Sequence, residues 1–397
     1  MTPVRQFQDL VAQLRSRAQE LLPRGQAELA QAFLTQYYHR VPSEVLDESD
    51  LSDLYGAAIA HWDLGRQREI DSSLIKVYNP SHESHGWEST HTVVELITDD
   101  RAFLVDSIAM VLNRHNLTIH LTIHPVIRTV RAADGRLHKV LRSGESDDQS
   151  IAESFMQFQI DRQTDDTVLQ QLRAELFEVI HDVARVGNDW KEMRDRLLEA
   201  AAALESTKSS EMVDEITALC QWVAADHFTF LGCIDLKTDT AAKARQLVPV
   251  PGTELGILRP GPESQNADLL TLLPISQASY LAGAEPLLIT ETSRRSTVHR
   301  PAYMDMIVVR RFDSQGNIVA ESCVVGLFSA AAYNSSVREV PILRSKLQRV
   351  LERSSLPLDG HGSKTLQNII ENYPRNDLFQ MSDEDLFVTC MGILDLQ

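Results

Sequence analysis

The chain has 397 residues, with 38 Lys and Arg against 56 Asp and Glu, so its net charge is −18. That balance argues against a general binder of nucleic acid or of an anionic membrane, since both need clustered cations. No apolar run reaches the ~20 residues of a membrane-spanning helix. The N-terminus, MTPVRQFQDLVAQLRSRAQ, is amphipathic and lacks the apolar core of a signal peptide. Length predicts about two or three domains. Cys220, Cys233, Cys323 and Cys390 are dispersed among apolar neighbours, the pattern of reduced core residues in a cytoplasmic protein.

Residues 1–70 read as a helical segment. Phe7, Leu10, Val11, Leu14, Ala18 and Leu21 form one apolar stripe, and Leu29, Phe33, Leu34 and Tyr37 a second. Ser49 precedes a third, through Leu51, Leu54, Tyr55, Ala58, Ile59 and Trp62. Such faces must pack on a neighbour. Residues 71–186 form a mixed unit. SLIKVY (73–78) is a lead-in strand, and His91–Thr98 a β-branched one. Asp99 and Asp100 end that strand, and either could cap a helix carrying Leu104, Ile108, Val111 and Leu112 on one face. The next strand alternates, with Ile119, Leu121 and Ile123 opposed to His120, Thr122 and His124. Pro125 interrupts it, which suggests an edge or a bulge. Ala133-Asp134-Gly135-Arg136 is a hairpin signal, Glu153–Asp161 a further strand, and a helix starts near Asp165 or Asp166. Strand, helix, strand is the first half of a βαββαβ sandwich.

Residues 187–225 form a helical connector. The unit 226–335 is mainly antiparallel: strands at Phe228–Leu236, Glu254–Leu258, Leu287–Glu291, Met306–Phe312 and Ile318–Phe328, with a helix near 266–272. Asp313-Ser314-Gln315-Gly316 joins the last two strands as a hairpin. From Arg338 the chain turns helical through Val340, Leu343 and Leu347. A DGHGS loop follows, and Ser382-Asp383-Glu384-Asp385 opens a final helix. The fold class is α+β.

TDDRAFLVDSIAMVLNRHNL with HPVIRTVRAADG closely resembles the N-terminal region of the large, NAD-specific bacterial glutamate dehydrogenases. ADHFTFLGCIDL, ELGILRP, STVHRPAYMDMIVVRRFDSQG, GLFSAAAYNSSVREVPILRSK and YPRNDLFQ fit the same family, in its order. The resemblance implies an ACT-like sandwich for 71–186 and a PAS-like antiparallel domain for 226–335, with 336–397 leading to further parts. It also implies that catalysis belongs to a later part of a longer chain. No GxGxxG dinucleotide turn occurs here. The expectation is therefore no cofactor and no catalysis in this region, with NAD bound by the parent enzyme. Its partners would be its own catalytic region, a second copy in a homo-oligomer and an amino-acid effector, with neither nucleic acid nor membrane.

Two clusters are candidates for the effector. The first is the turn Asp99, Asp100 and Phe103, with Asp106 one helical turn on. Carboxylates there would take an ammonium, and unpaired helix N–H groups a carboxylate. The alternative is that Asp99 and Asp100 cap the helix while Phe103 and Leu104 fill the core. The second is His299, Arg300, Tyr303 and Asp305, where Arg300 would clamp a carboxylate. Its alternative is an ion pair from Arg300 to Asp305 or Glu321. Asn376 stands where the family usually has an acid, so a charge contact there is replaced by a hydrogen bond or lost. His120 and His124 share a strand face but lie about 13 Å apart, too far to bind one metal ion.

Overall fold

The chain opens with the helices α1 (Pro3–Leu21), α2 (Arg24–Tyr37) and α3 (Leu51–Leu64). Their apolar stripes do pack on a neighbour. Leu14, Phe33, Leu34, Tyr37 and Trp62 share one core with the sheet residues Ile97, Ile123, Ile127 and Phe155. Each such fully buried side chain contributes about 1.5–3 kcal/mol. The residue that caps α3 is Asp50, which accepts from the Ser52 N–H at 2.6 Å. Ser49 is spent elsewhere, donating to the Val45 carbonyl at 2.8 Å. The computed structural model describes residues 3–42, 45–46, 49–204, 210–239, 246–260, 285–357 and 360–396. These fall into two units, Met1–Val183 and Ala184–Gln397. Among the described residues no helix is long and apolar enough to cross a membrane.

The first unit's sheet is antiparallel: β1 (Leu74–Tyr78), β2 (Thr92–Asp99), β3 (Ile119–Ile123), β4 (Val126–Arg131), β5 (Leu137–Val140) and β6 (Ile151–Ile160). The order is β1-β2-β6-β4-β5, with β3 also on β6. Helix α4 (Leu104–Arg114) follows β2, and α5 (Asp166–Ala202) follows β6. The position flanking β2, where a βαββαβ sandwich would place its last strand, is filled from ahead by β1. After β6 the chain continues as one long helix instead. Pro125 causes no bulge. Ile123 faces Gln157 and Val126 faces Ser154 in one unbroken register, and the Pro125 carbonyl still accepts from Phe155 N at 3.0 Å. The irregularity lies earlier, between Ile119 and Leu121, at His120. Odd-numbered residues such as Ile97 and Phe155 face the opening helices. Val94, Leu96, Met156 and Phe158 on the even face are equally buried, so that face is covered too. The β4–β5 turn is as expected. Gly135 has φ +83°, and an added Cβ would lie 2.6 Å from the Arg68 carbonyl.

The second unit holds the C-terminal half of α5, α6 (Ser210–Trp222) and a six-stranded antiparallel sheet. Its strands are β7 (Phe228–Asp239), β8 (Gln246–Pro249), β9 (Leu255–Gly256), β10 (Leu287–Arg295), β11 (Tyr303–Phe312) and β12 (Ile318–Phe328). The order is β10-β11-β12-β7-β8, with β9 on β7. The strand expected at Glu254–Leu258 shrinks to two residues, and β8 was not anticipated. The helix expected near 266–272 lies outside the described residues. One sheet face packs Phe228, Ile307 and Val324 against helical residues such as Leu197, Leu219, Leu347 and Leu386. The other joins Ile234, Met306, Val308, Cys323 and Val325. All four cysteines are free and buried.

Five helices close the chain: α7 (Ala330–Asn334), α8 (Leu343–Ser354), α9 (His361–Glu371), α10 (Arg375–Gln380) and α11 (Asp383–Asp395). Helix α8 starts later than Arg338. Pro341 disfavours helical backbone at Val340, and Ile342 sits at φ +68°. Helix α9 starts inside the expected DGHGS loop. Ser382 caps α11, accepting from Asp385 N at 3.1 Å.

Candidate functional site

At the end of β2 the register places Asp99 directly opposite Glu153. Two carboxylates in cross-strand contact repel unless a cation intervenes. Arg68 does so, with its side chain fully buried. Its Nε donates to Glu153 at 2.5 Å, its Nη2 to Asp99 at 2.6 Å and its Nη1 to the Ser72 carbonyl at 2.6 Å. Arg131 is a second buried donor to Glu153, at 3.0 Å, and spans the carbonyls of Gly135 and Gly65 at 2.9 Å each. Thr129 donates to the other Glu153 oxygen. Asp99 also lies 3.6 Å from Arg101. Asp99 is thus a member of a buried ionic network.

Asp100 closes a different contact. Ser154 donates to it at 2.6 Å, and the His124 Nε2–H approaches the same Ser154 oxygen at 3.1 Å. This ties the β2–α4 turn to the break between β3 and β4. Burial lowers the His124 pKa, against the pull of Asp100. Neither carboxylate caps α4. The capping position belongs to Phe103, in left-handed conformation at φ +69°, and no side chain caps the helix. Phe103 is half-buried and Leu104 is core, while Asp106 sits in the first turn of α4.

The histidines pair in a way that strand spacing could not show. His120 does not meet His124. Its ring lies 4.3 Å from that of His91, tilted by 38°, and it contacts Asp161 at 2.7 Å. The Thr118 N–H and then His120 hold the Asp161 pKa down to about 2. Among the described residues no group of His, Cys, Asp and Glu could hold a metal ion.

In the second unit, the loop between β10 and β11 carries the other cluster. His299 is left-handed at φ +73°. Arg300 forms neither expected ion pair. It donates to the Phe328 carbonyl at 3.0 Å and lies over the Tyr333 ring. Glu321 is taken by Arg310 at 2.9 Å, both side chains buried. Asp305 is 2% exposed and accepts from Phe328 N at 3.4 Å. Burial raises its pKa to about 7, helped by Glu291 across the strand and opposed by the Phe328 N–H and by Arg300. Tyr303 is exposed, with Arg295 over its ring. Tyr333 donates to Asn376 Oδ1 at 3.3 Å, so a hydrogen bond does stand at that position.

Sequence reading missed Arg68, Arg131 and Glu153, whose partners lie far apart along the chain. It also missed a polar recess of ≈ 500 Å³ lined by Glu211, Asp214, Glu215, Arg344, Ser345 and Gln348. There Glu215 accepts from Ile342 N at 2.8 Å, Ser345 Oγ at 2.9 Å and Arg344 Nε at 2.9 Å.

Comparison with known proteins agrees with the blocks read from the sequence. The family model for the glutamate dehydrogenase ACT1 domain matches residues 33–176, and that for glutamate dehydrogenase helical motif 1 matches 340–397. An NAD-specific glutamate dehydrogenase of Halomonas elongata is 34% identical over 393 residues, 98% of this chain and 24% of the relative. That of Pseudomonas aeruginosa is 33% identical over 370 residues, 92% of this chain and 23% of the relative. That of Mycobacterium tuberculosis is 25% identical over 344 residues, 85% and 20% respectively. The chain spans about a quarter of the length of the first two relatives. The ACT1 match begins within α2, so it takes in α3 as well as the sheet. The chain belongs to the family of large NAD-specific glutamate dehydrogenases, as a counterpart of their N-terminal region.

Proposed function

We propose that the chain is the non-catalytic regulatory region of a cytoplasmic NAD-dependent glutamate dehydrogenase. The parent enzyme would convert glutamate and NAD to 2-oxoglutarate, ammonium and NADH. This region would sense an amino acid and act on the catalytic part of the same polypeptide within a homo-oligomer. The observation that carries the reading is the end of β2, where α4 starts with no side-chain cap. Its first-turn N–H groups suit a carboxylate, and Asp100 and Asp106 flank them for an ammonium. The second unit is read as PAS-like. The place of the first strand β7, between β8 and the last strand β12, supports that assignment.

A second reading is a scaffold that binds no effector and pairs subunits. It is favoured by the internal partners of Asp99, Asp100, Arg300 and Asp305. A thermal-shift titration against the twenty amino acids, 2-oxoglutarate and NAD separates the two. Native-state binding at 100 times Kd adds about 2.7 kcal/mol. A saturable shift with one or two amino acids, lost in Asp100→Asn, supports sensing. No shift in any amino acid, with a concentration-dependent oligomer mass, overturns sensing in favour of the scaffold.

A further inference from the structure

Glu95 lies midway along β2 on the face covered by the opening helices, fully buried. Its Oε1 accepts from the Tyr78 hydroxyl at 3.0 Å and from Gln157 Nε2 at 3.4 Å. Among the described residues its Oε2 has no hydrogen-bond partner, and neither does Gln157 Oε1. The two residues stand directly opposite each other in register. An ionised Glu95 therefore leaves two acceptor-only oxygens, on facing residues, without a donor. Leaving a buried charge half-satisfied is strongly unfavourable.

Among the described residues no cation forms an ion pair with Glu95. On β1, Lys76 is the cross-strand neighbour of Glu95, but its ammonium lies over the Tyr78 ring at 3.9 Å and makes no ion pair with Glu95 among the described residues. From α2, Tyr37 and Tyr38 face the site, and burial first and Glu95 second raise the Tyr38 pKa beyond the ordinary range. From α3 comes His61, whose Nδ1 accepts from Tyr37 Oη at 2.9 Å and whose Nε2 meets the Leu96 carbonyl at 3.2 Å. Burial depresses its pKa to about 3, so it is neutral. On β6 the facing group is the uncharged Gln157. One proton on the carboxyl would turn an orphan acceptor into a donor and give Gln157 Oε1 its partner.

We infer that Glu95 is a proton-binding site: on the acid side of neutrality it carries a proton in the folded protein, donates to Gln157, and by staying neutral holds α2 and α3 on the sheet. Loss of the proton as pH rises through neutrality leaves an unpaired charge between the two layers and loosens the helices. Burial also raises the Glu95 pKa to about 7, against the opposing influence of Lys76, Tyr78 and Gln157.

The intact chain tests this by infrared spectroscopy and hydrogen exchange. On the acid side of neutrality the wild type should show a protonated-carboxyl C=O band that is missing from Glu95→Gln. The band should disappear as pH is raised, in the wild type and equally in Asp305→Asn, which removes the other buried carboxyl that holds a proton in this range. Amides of α2 and α3 should lose protection across the same interval in the wild type, after correction for intrinsic exchange, and should keep it in Glu95→Gln. Absence of the band on the acid side of neutrality overturns the protonated state. A band that disappears with no change in protection overturns the holding role.

Discussion

Arg68 and Glu153 meet at 2.5 Å with both side chains fully shut off from solvent. Removing one partner of such a pair strands a buried charge, at about 3–5 kcal/mol. Here the loss of Arg68 would also leave Asp99 and Glu153 facing each other across the ladder. Arg68→Met is expected to destabilise the first unit by about that amount in urea denaturation. The exposed pair Arg66–Asp63, at 3.2 Å, is the control. Asp63→Ala should cost at most about 1 kcal/mol, as exposed pairs do. Equal losses in the two variants would show that the network is not the buried unit described.

Glu215 binds the start of α8 from another helix. A branched residue at positive φ, as at Ile342, is a real outlier, and the Glu215 carboxylate holds its N–H. Losing a capping acceptor costs about 0.5–2 kcal/mol. Glu215→Ala should fall in that range, and Glu215→Gln should lose less because one acceptor oxygen survives. Burial opposes the charge on Glu215, but the bonds from Arg344, Ile342 and Ser345 outweigh it and hold its pKa below the ordinary value. That share of stability is present above the unfolded pKa and vanishes as pH falls through the folded one. Acid melts of wild type and Glu215→Gln should therefore converge.

Asp305 has the opposite sign. Its folded pKa is about 7 against an ordinary 3.8. The folded state holds a proton in that interval which the unfolded chain has released, so stability falls as pH rises from about 4 to above 7. Asp305→Asn should flatten that slope in chemical denaturation monitored in the second unit. An unchanged slope would mean that Asp305 is ionised throughout.

Gly56 sets helix propensity against packing. Within α3, alanine would favour the helix by roughly 1 kcal/mol. An added Cβ, however, would lie 2.4 Å from Trp87 Cβ, part of a 1%-exposed side chain. Overpacking of this kind costs about 1–3 kcal/mol. Gly56→Ala is expected to lower Tm, and a raised Tm would show that Trp87 gives way.

Local chemistry carried much of this fold into the sequence. The β2–α4–β3 run, the Gly135 and Gly316 hairpins and the Ser382 cap rest on neighbouring residues. They were readable because turn and periodicity signals are short-range. The ionic network was not, since Arg68 and Glu153 are 85 positions apart and only the register brings them together. For the same reason Asp99 reads as a cap in sequence and is an ion-pair acceptor in space. Glu215 reaches Ile342 across 127 positions, which no helix-start rule could indicate. Pro125 misled in the other direction, but only as a bulge, since β3 before it pairs with β6 alone among the described strands. Proline removes a donor, but its carbonyl keeps the ladder in register.

Because β1 fills the flank of β2 from ahead, the first sheet has all its strands once Ile160 has been synthesised. A strand placed after α5 would have to wait for chain beyond Ala202. As translation delivers the N-terminus first, this sheet can assemble before the second unit has left the ribosome. Its strand edge is thereby withheld from wrong partners during the interval when the growing chain is most exposed to them.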